Sequence, residues 1–303
     1  MLKTHKSQNE NSFTDIYVNE DYTPYSIKRD AEIKSWCTNN SINFHSLHDV
    51  TLVPPGSVVN PKGKPFDVYT HFYQACCERT IDPLLENQNY ESFKTIESKF
   101  KIDFDKAATF YKHNPHINVN GGRTLALEIL KSYDMNLYSR RDELILQGTT
   151  SLSAHIKFGC ISIREAFHHF NSTELGKDIV KQLFWRDYFI MLGHFHPHML
   201  GSALNPKYNA LQWSDNNEHF EAWKNGRTGF PVIDAAMVQL ATTGYLNNRA
   251  RTFVADFLVK LLLIDWRKGE KYFATILVDY DPLGKFIFFD YTNSITISHK
   301  INQ

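Results

Sequence analysis

The segment Gly226–Glu270 constrains this chain most, because it places two arginines where the physics of a helix disfavours cations. Gly229 and Pro231 open a helix whose apolar positions Val232, Ala235, Ala236, Met237 and Leu240 keep helical spacing, and Gly244 closes it. A second helix starts at Asn247 or Asn248, both favourable N-cap residues. One side of it is apolar through Phe253, Phe257, Leu258, Leu261 and Leu262, yet its first turn carries Arg249 and Arg251. The positive end of the macrodipole opposes each of these charges by roughly 0.3–1 kcal/mol. The two arginines therefore require an anionic partner.

With 303 residues, 42% hydrophobic and 14% aromatic, the chain is long enough for two domains with real cores. Lys+Arg 33 balances Asp+Glu 33, which leaves no global basic field, so a nucleic-acid surface has to be a local patch. The four cysteines form no C-x-x-C pair, and the neighbours Cys76 and Cys77 are poorly placed to bridge each other. That usage fits a reduced intracellular compartment, cytoplasmic or nuclear, rather than secretion. The polar start M-L-K-T-H-K-S-Q lacks the apolar core of a signal peptide, no run approaches transmembrane length, and no membrane partner is expected.

Residues 14–85 read as α/β, with a strand at Ile16–Val18, a turn at Asp21–Pro24, a helix from Ser26 to Cys37 and a short strand at Val50–Val53. From Glu86 to Asn118 the sequence is polar and without period, which predicts an interdomain connection. From Gly121 onward the periodicity is helical almost throughout. The domain reading is thus 1–85 (α/β), 86–118 (linker) and 119–303 (all-α).

Three local patterns carry chemistry. G-T-T-S-L-S (Gly148 to Ser153) gathers small hydroxyl residues and free N–H groups at the start of a helix, an arrangement that serves either as an N-cap or as a phosphate site. Gln182, Trp185, Arg186 and Phe189 follow i, i+3, i+4, i+7 and share one helix face. An aromatic wall beside an amide and a guanidinium suits a flipped nucleobase, whereas Trp185 alone reads equally well as core. H-F-H-P-H (His194, His196, His198) lacks a fourth ligand, and no metal is predicted there.

Together with Q-L-F-W-R-D-Y-F (Gln182 to Phe189) and G-T-T-S-L-S, the 226–270 block closely resembles the flavin-binding half of DNA photolyases and cryptochromes, most like the class I enzymes that repair cyclobutane pyrimidine dimers. The runs D-Y-T-P-Y-S-I-K-R-D (Asp21 to Asp30) and G-K-P-F-D-V-Y-T-H-F (Gly63 to Phe72) are similar to the later part of that family's Rossmann-like domain, and the resemblance extends from about Asp15 to Asp281. It implies a partial Rossmann-like α/β N-terminal domain followed by an all-α FAD-binding domain. It implies FAD, reduced for activity, contacted by Tyr138, Thr149, Thr150, Ser151, Leu152, Ser153, Arg251, Asp279, Tyr280 and Asp281. No antenna chromophore is assigned. DNA containing pyrimidine dimers would meet Gln182, Trp185, Arg186, Asn248, Arg249 and Arg251, with Arg251 paired to Asp279. Gln182 and Trp185 are the residues implied in catalysis, with Trp213 and Trp266 as outer and middle members of a light-driven tryptophan chain.

Departures from the family pattern bear on activity. Gln182 stands where class I repair enzymes carry Glu, and Ser151 where many relatives carry Arg or Lys. After Asp281 the run P-L-G-K-F-I-F-F reads as a helix break followed by a strand-like segment. The family's Asn beside flavin N5 and its innermost tryptophan have no counterpart there, nor do its opening strands at the other end. The resulting expectation is a chain truncated at both ends, with a second chain as one open source of the missing C-terminal part. The function expected is light-dependent repair of pyrimidine dimers, with a non-repairing cryptochrome-like module or an inactive remnant as the alternative.

Overall fold

The computed structural model describes residues 13–85, 106, 108–110, 112–144 and 148–283. Most of the 86–118 stretch read as a linker, and the F-I-F-F run read as strand-like, lie outside the described residues. In chain order the elements are β1 (Asp15–Asn19), α1 (Pro24–Asn39), β2 (Asn43–Leu47), α2 (Tyr69–Cys77), α3 (Arg123–Ser132), α4 (Ser153–Lys157), α5 (Ile163–Asn171), α6 (Lys177–Phe195), α7 (Asn217–Lys224), α8 (Pro231–Thr243), α9 (Asn248–Asp256) and α10 (Trp266–Ile276). A π-helical turn, Phe257–Leu261, continues α9. The chain forms two compact units, one from Met1–Ile81 and Ala166–Asn209, the other from Asp82–Glu165 and Ala210–Gln303.

In the first unit β1 and β2 pair in parallel, with Asp15 opposite Asn43 and Asn19 opposite Leu47, and α1 makes the crossover. Pro24 opens α1 at its first turn, where a missing N–H costs nothing, and the Thr23 side chain caps it by accepting from the Ser26 amide. The second strand is Asn43–Leu47, not Val50–Val53. The Val50–Val53 run is apolar and mostly buried, but side chains of α6 satisfy its backbone instead of a ladder. The Asp187 carboxylate accepts from the amides of Leu52 (2.7 Å) and Val53 (3.2 Å), and Arg186 donates to the Val50 carbonyl (2.5 Å). α6 itself buries Ile179, Val180, Leu183, Phe184, Tyr188, Ile190 and Met191, a near-continuous apolar surface that marks it as the central helix of this unit.

The second unit is helical and packs around Trp223 of α7, which is fully buried. Its indole N–H donates to the Val254 carbonyl at 2.9 Å, and its ring stacks on Phe273 of α10 at 5.9 Å. α8 starts at Pro231 and ends at Gly244, whose φ of 66° is left-handed. A Cβ on Gly244 would stand 2.9 Å from the Val278 side chain, and the Gly244 carbonyl accepts the Val278 amide at 2.9 Å. Glycine thus both stops α8 and admits the segment leading into Asp279. Among the described residues no helix is long and apolar enough to cross a membrane.

Asp187→Ala leaves the Leu52 and Val53 amides without their buried acceptor and should destabilise that loop by about 1–3 kcal/mol. Faster hydrogen exchange at these two amides, with α8–α10 unaffected, is the expected readout; unchanged protection would show that Asp187 does not hold the loop.

Candidate functional site

In the second unit the segment Asp279–Asp281 is fastened side chain by side chain. Asp279, 4% exposed, accepts from Arg251 (3.1 Å) and from the Ser153 hydroxyl (2.7 Å). Arg251, 3% exposed, also donates to the Leu246 carbonyl at 2.6 Å and lies 5.4 Å from the Tyr245 ring centre. Asp281 takes Lys157 at 3.3 Å and the Leu283 amide at 3.2 Å. Ser153 and Lys157 are one helical repeat apart on α4, about 6 Å of axial rise, and they meet two carboxylates that are two residues apart. Between those carboxylates Tyr280 donates its phenol to Glu270 of α10. Burial, and then that bond, push the phenol above its ordinary pKa.

The G-T-T-S-L-S turn leads into the same α4. Thr149 shares a hydrogen bond with the Tyr245 hydroxyl (3.1 Å), and the Thr150 hydroxyl accepts the Leu152 amide (3.3 Å). Ser151 holds φ at 55°, a left-handed conformation that is costly for a residue with a Cβ and that turns successive amides toward one side. Gly148 is packed so closely that a Cβ would sit 2.9 Å from the Leu137 carbonyl, and its own carbonyl accepts the Tyr133 hydroxyl at 2.7 Å. This brings the turn beside the segment holding Tyr138, which is buried, with Arg141 4.8 Å from its ring centre. His155 on α4 is buried, its Nε2 makes no hydrogen bond among the described residues, and desolvation lowers its pKa.

The first turn of α9 is capped by Asn247, whose side chain accepts the Arg249 amide at 2.8 Å. Asn248 begins the helix. The two disfavoured arginines have anionic partners within the chain: Arg251 has Asp279, and Arg249 has Asp142 at 3.2 Å. Trp266, buried at the start of α10, follows Asp265, which caps that helix. Trp213 is half-buried and tied to the same region by its neighbour, since the Ser214 amide donates to the Leu263 carbonyl at 2.7 Å.

Gln182, Trp185 and Arg186 belong to the first unit. Gln182 is exposed on α6. Trp185 is half-buried, and Tyr69 of α2 covers one face of its ring, with centroids 3.7 Å apart and planes 9° from parallel. Phe189 lies 5.4 Å away on the helix face predicted from the spacing. Arg186 is engaged with Val50, as described above. Among the described residues no three metal-binding side chains cluster, those of the H-F-H-P-H run included.

The family model described as the FAD binding domain of DNA photolyase matches residues 179–298, and the one described as DNA photolyase matches residues 5–89. The deoxyribodipyrimidine photo-lyase of Alkalihalophilus pseudofirmus is 31% identical over 286 residues, covering 88% of this chain and 58% of the relative. The chain belongs to the DNA photolyase and cryptochrome family. An archaeal photolyase from Sulfolobus tokodaii, solved with two FAD molecules, superimposes with a TM-score of 0.81 at 38% identity, covering 94% of this chain and 63% of that one. Cryptochrome-1 of Arabidopsis thaliana is 29% identical, covering 88% of this chain and 42% of the relative. The chain therefore spans about three fifths of the length of the photo-lyase it matches. Both family models reach beyond Asp15–Asp281, which corrects the extent over which the resemblance was read.

Several residues with defined contacts were not singled out by the sequence: Lys157, Tyr245, Asp142 and Glu270 in the second unit and, separately, Tyr69 in the first. Lys157 carried a usable signal, one helical repeat after Ser153. The acidic residue in R-R-D (Arg140 to Asp142) gave none, because its partner lies far along the chain.

Arg251→Ala strands Asp279 as a buried carboxylate without its cation and should cost about 3–5 kcal/mol. A thermal melt of the second unit's tryptophan signal reads this out; a midpoint equal to the wild type would show that Asp279 is not held by charge.

Proposed function

We propose that this chain is a photolyase-type flavoprotein that binds DNA containing pyrimidine dimers. The observation that carries the reading is the buried Arg251–Asp279 pair, which the exposed Ser153 ties through α4 to the hydroxyl-rich turn Gly148–Ser153. The donor set fits a dinucleotide. Hydroxyls of Thr149, Thr150 and Ser151, the Ser151 amide and the cation of Lys157 would hold its phosphates, with Leu152 and Ser153 beside them fixing the turn. Tyr138, Arg251, Asp279, Tyr280 and Asp281 would surround the rest. When bound, FAD supplies the light absorption and the redox chemistry, in reduced form for repair. This chain's residues bind and orient. The fixed cation of Arg251 and the carboxylate of Asp279 cost no reorganisation when charge moves nearby.

On the DNA side, Arg249 and Asn248 at the start of α9 are the groups we assign to phosphate and to the substrate edge. Gln182 and Trp185 on α6 are assigned to the base, with the Trp185 face opposite Tyr69 as the stacking surface. A second reading, a cryptochrome-like module without repair, is favoured by one feature: Gln182 offers an amide where a carboxylate would accept charge-assisted bonds or carry a proton.

Two measurements test this. Added FAD should bind the purified chain and show flavin absorbance, and Lys157→Ala should weaken that binding. No retained flavin under any addition would overturn the FAD reading. With reduced FAD, blue light and a thymine-dimer oligonucleotide, Gln182→Glu should raise the yield of restored thymine above that of the wild type. Equal and negligible yields, with DNA binding intact, favour the cryptochrome-like reading.

A further inference from the structure

We propose that Asp142 is an internal counter-ion that stands in for a phosphate on Arg249, so that DNA binding at the start of α9 exchanges one anion for another. The proposal rests on the DNA-binding reading above and adds to it the residue that sets how much binding Arg249 can contribute.

Arg249 sits where the helix dipole repels a cation, so an anion beside it relieves a repulsion as well as forming a pair. The partner comes from another part of the chain and is held there by the capping residue. Asn247 accepts the Arg249 amide through its side-chain oxygen (2.8 Å) and donates its side-chain NH2 to the Arg141 carbonyl (2.9 Å). One amide therefore fixes both the residue before Asp142 and the turn that carries Arg249, which places carboxylate and guanidinium 3.2 Å apart. Both side chains remain open to solvent, at 49% and 57% exposure, so a polyanion can reach them. The adjacent cation is treated alike, since Arg140 makes two 2.7 Å bonds to Glu143. In a chain with 33 cations and 33 anions, no long-range field draws DNA in, and local pairs of this kind decide the outcome.

An exposed ion pair has a modest worth, so releasing Arg249 from Asp142 should tighten DNA binding by roughly twofold to fivefold. Phosphate contacts expel condensed counter-ions from DNA. A carboxylate set free by the exchange recaptures part of that cation release, so wild-type binding should respond to salt less steeply than Asp142→Asn.

The test measures binding of the full chain to a labelled duplex carrying one thymine dimer, at several salt concentrations. The proteins compared are the wild type, Asp142→Asn, Arg249→Ala, the double variant, and Glu218→Gln as a variant of equal charge at an exposed site on α7. Asp142→Asn should bind tighter than Glu218→Gln, with a steeper salt slope, and should lose that gain in the Arg249→Ala background. Equal affinities for Asp142→Asn and Glu218→Gln, or a gain that survives Arg249→Ala, overturn the proposal and leave the DNA-binding reading standing. No binding by any of the five proteins overturns both. Unchanged melting temperatures confirm that the comparison concerns binding.

Discussion

A guanidinium and a carboxylate removed from water, Arg251 and Asp279, lie buried in the second unit, and their placement decides much around them. Two buried charges carry a desolvation cost that only good geometry and further hydrogen bonds offset. Here the Leu246 carbonyl and the Ser153 hydroxyl provide those bonds. Meeting that demand brings α9, α4 and the turn after α10 to one point. The hydroxyl-rich turn and the carboxylates of Asp279 and Asp281 consequently occupy fixed places.

Local punctuation made the helices legible. Pro231, Gly244 and Asn247 act on their own backbone within a few residues, so α8 begins and ends, and α9 begins, where those residues dictate. The i, i+3, i+4, i+7 spacing around Trp185 likewise put Phe189 on its face. What the sequence hid is long-range. Val50–Val53 has the composition of a strand, but Asp187 and Arg186, more than a hundred residues on, take its backbone bonds. Asn43–Leu47, polar and half-exposed, is the strand because it has a partner in β1. The same holds for Asp142 and Tyr69, whose roles come from residues that no window along the chain contains.

The charge balance reads differently once the partners are known. A net charge of zero could arise from scattered ions, yet around the start of α9 it arises from pairs, Arg249 with Asp142 and Arg140 with Glu143. Burial separates two classes among the paired arginines. The Arg251 pair is buried and fixed in place, whereas the Arg249 pair is open to solvent and, as proposed above, exchangeable.

Gly244 has a further consequence for how the molecule acquires its site. Its carbonyl receives Val278, while Asp279 reaches Arg251 across 28 residues and Ser153 across 126. Contacts of such separation require the intervening chain to be gathered, so the carboxylates are in place only where α4, α9 and the turn after α10 have come together. A ligand that recognises them binds only the finished unit. Its concentration then acts as a lever on the folded population, and a chain of this kind would be most exposed to proteolysis when that ligand is scarce.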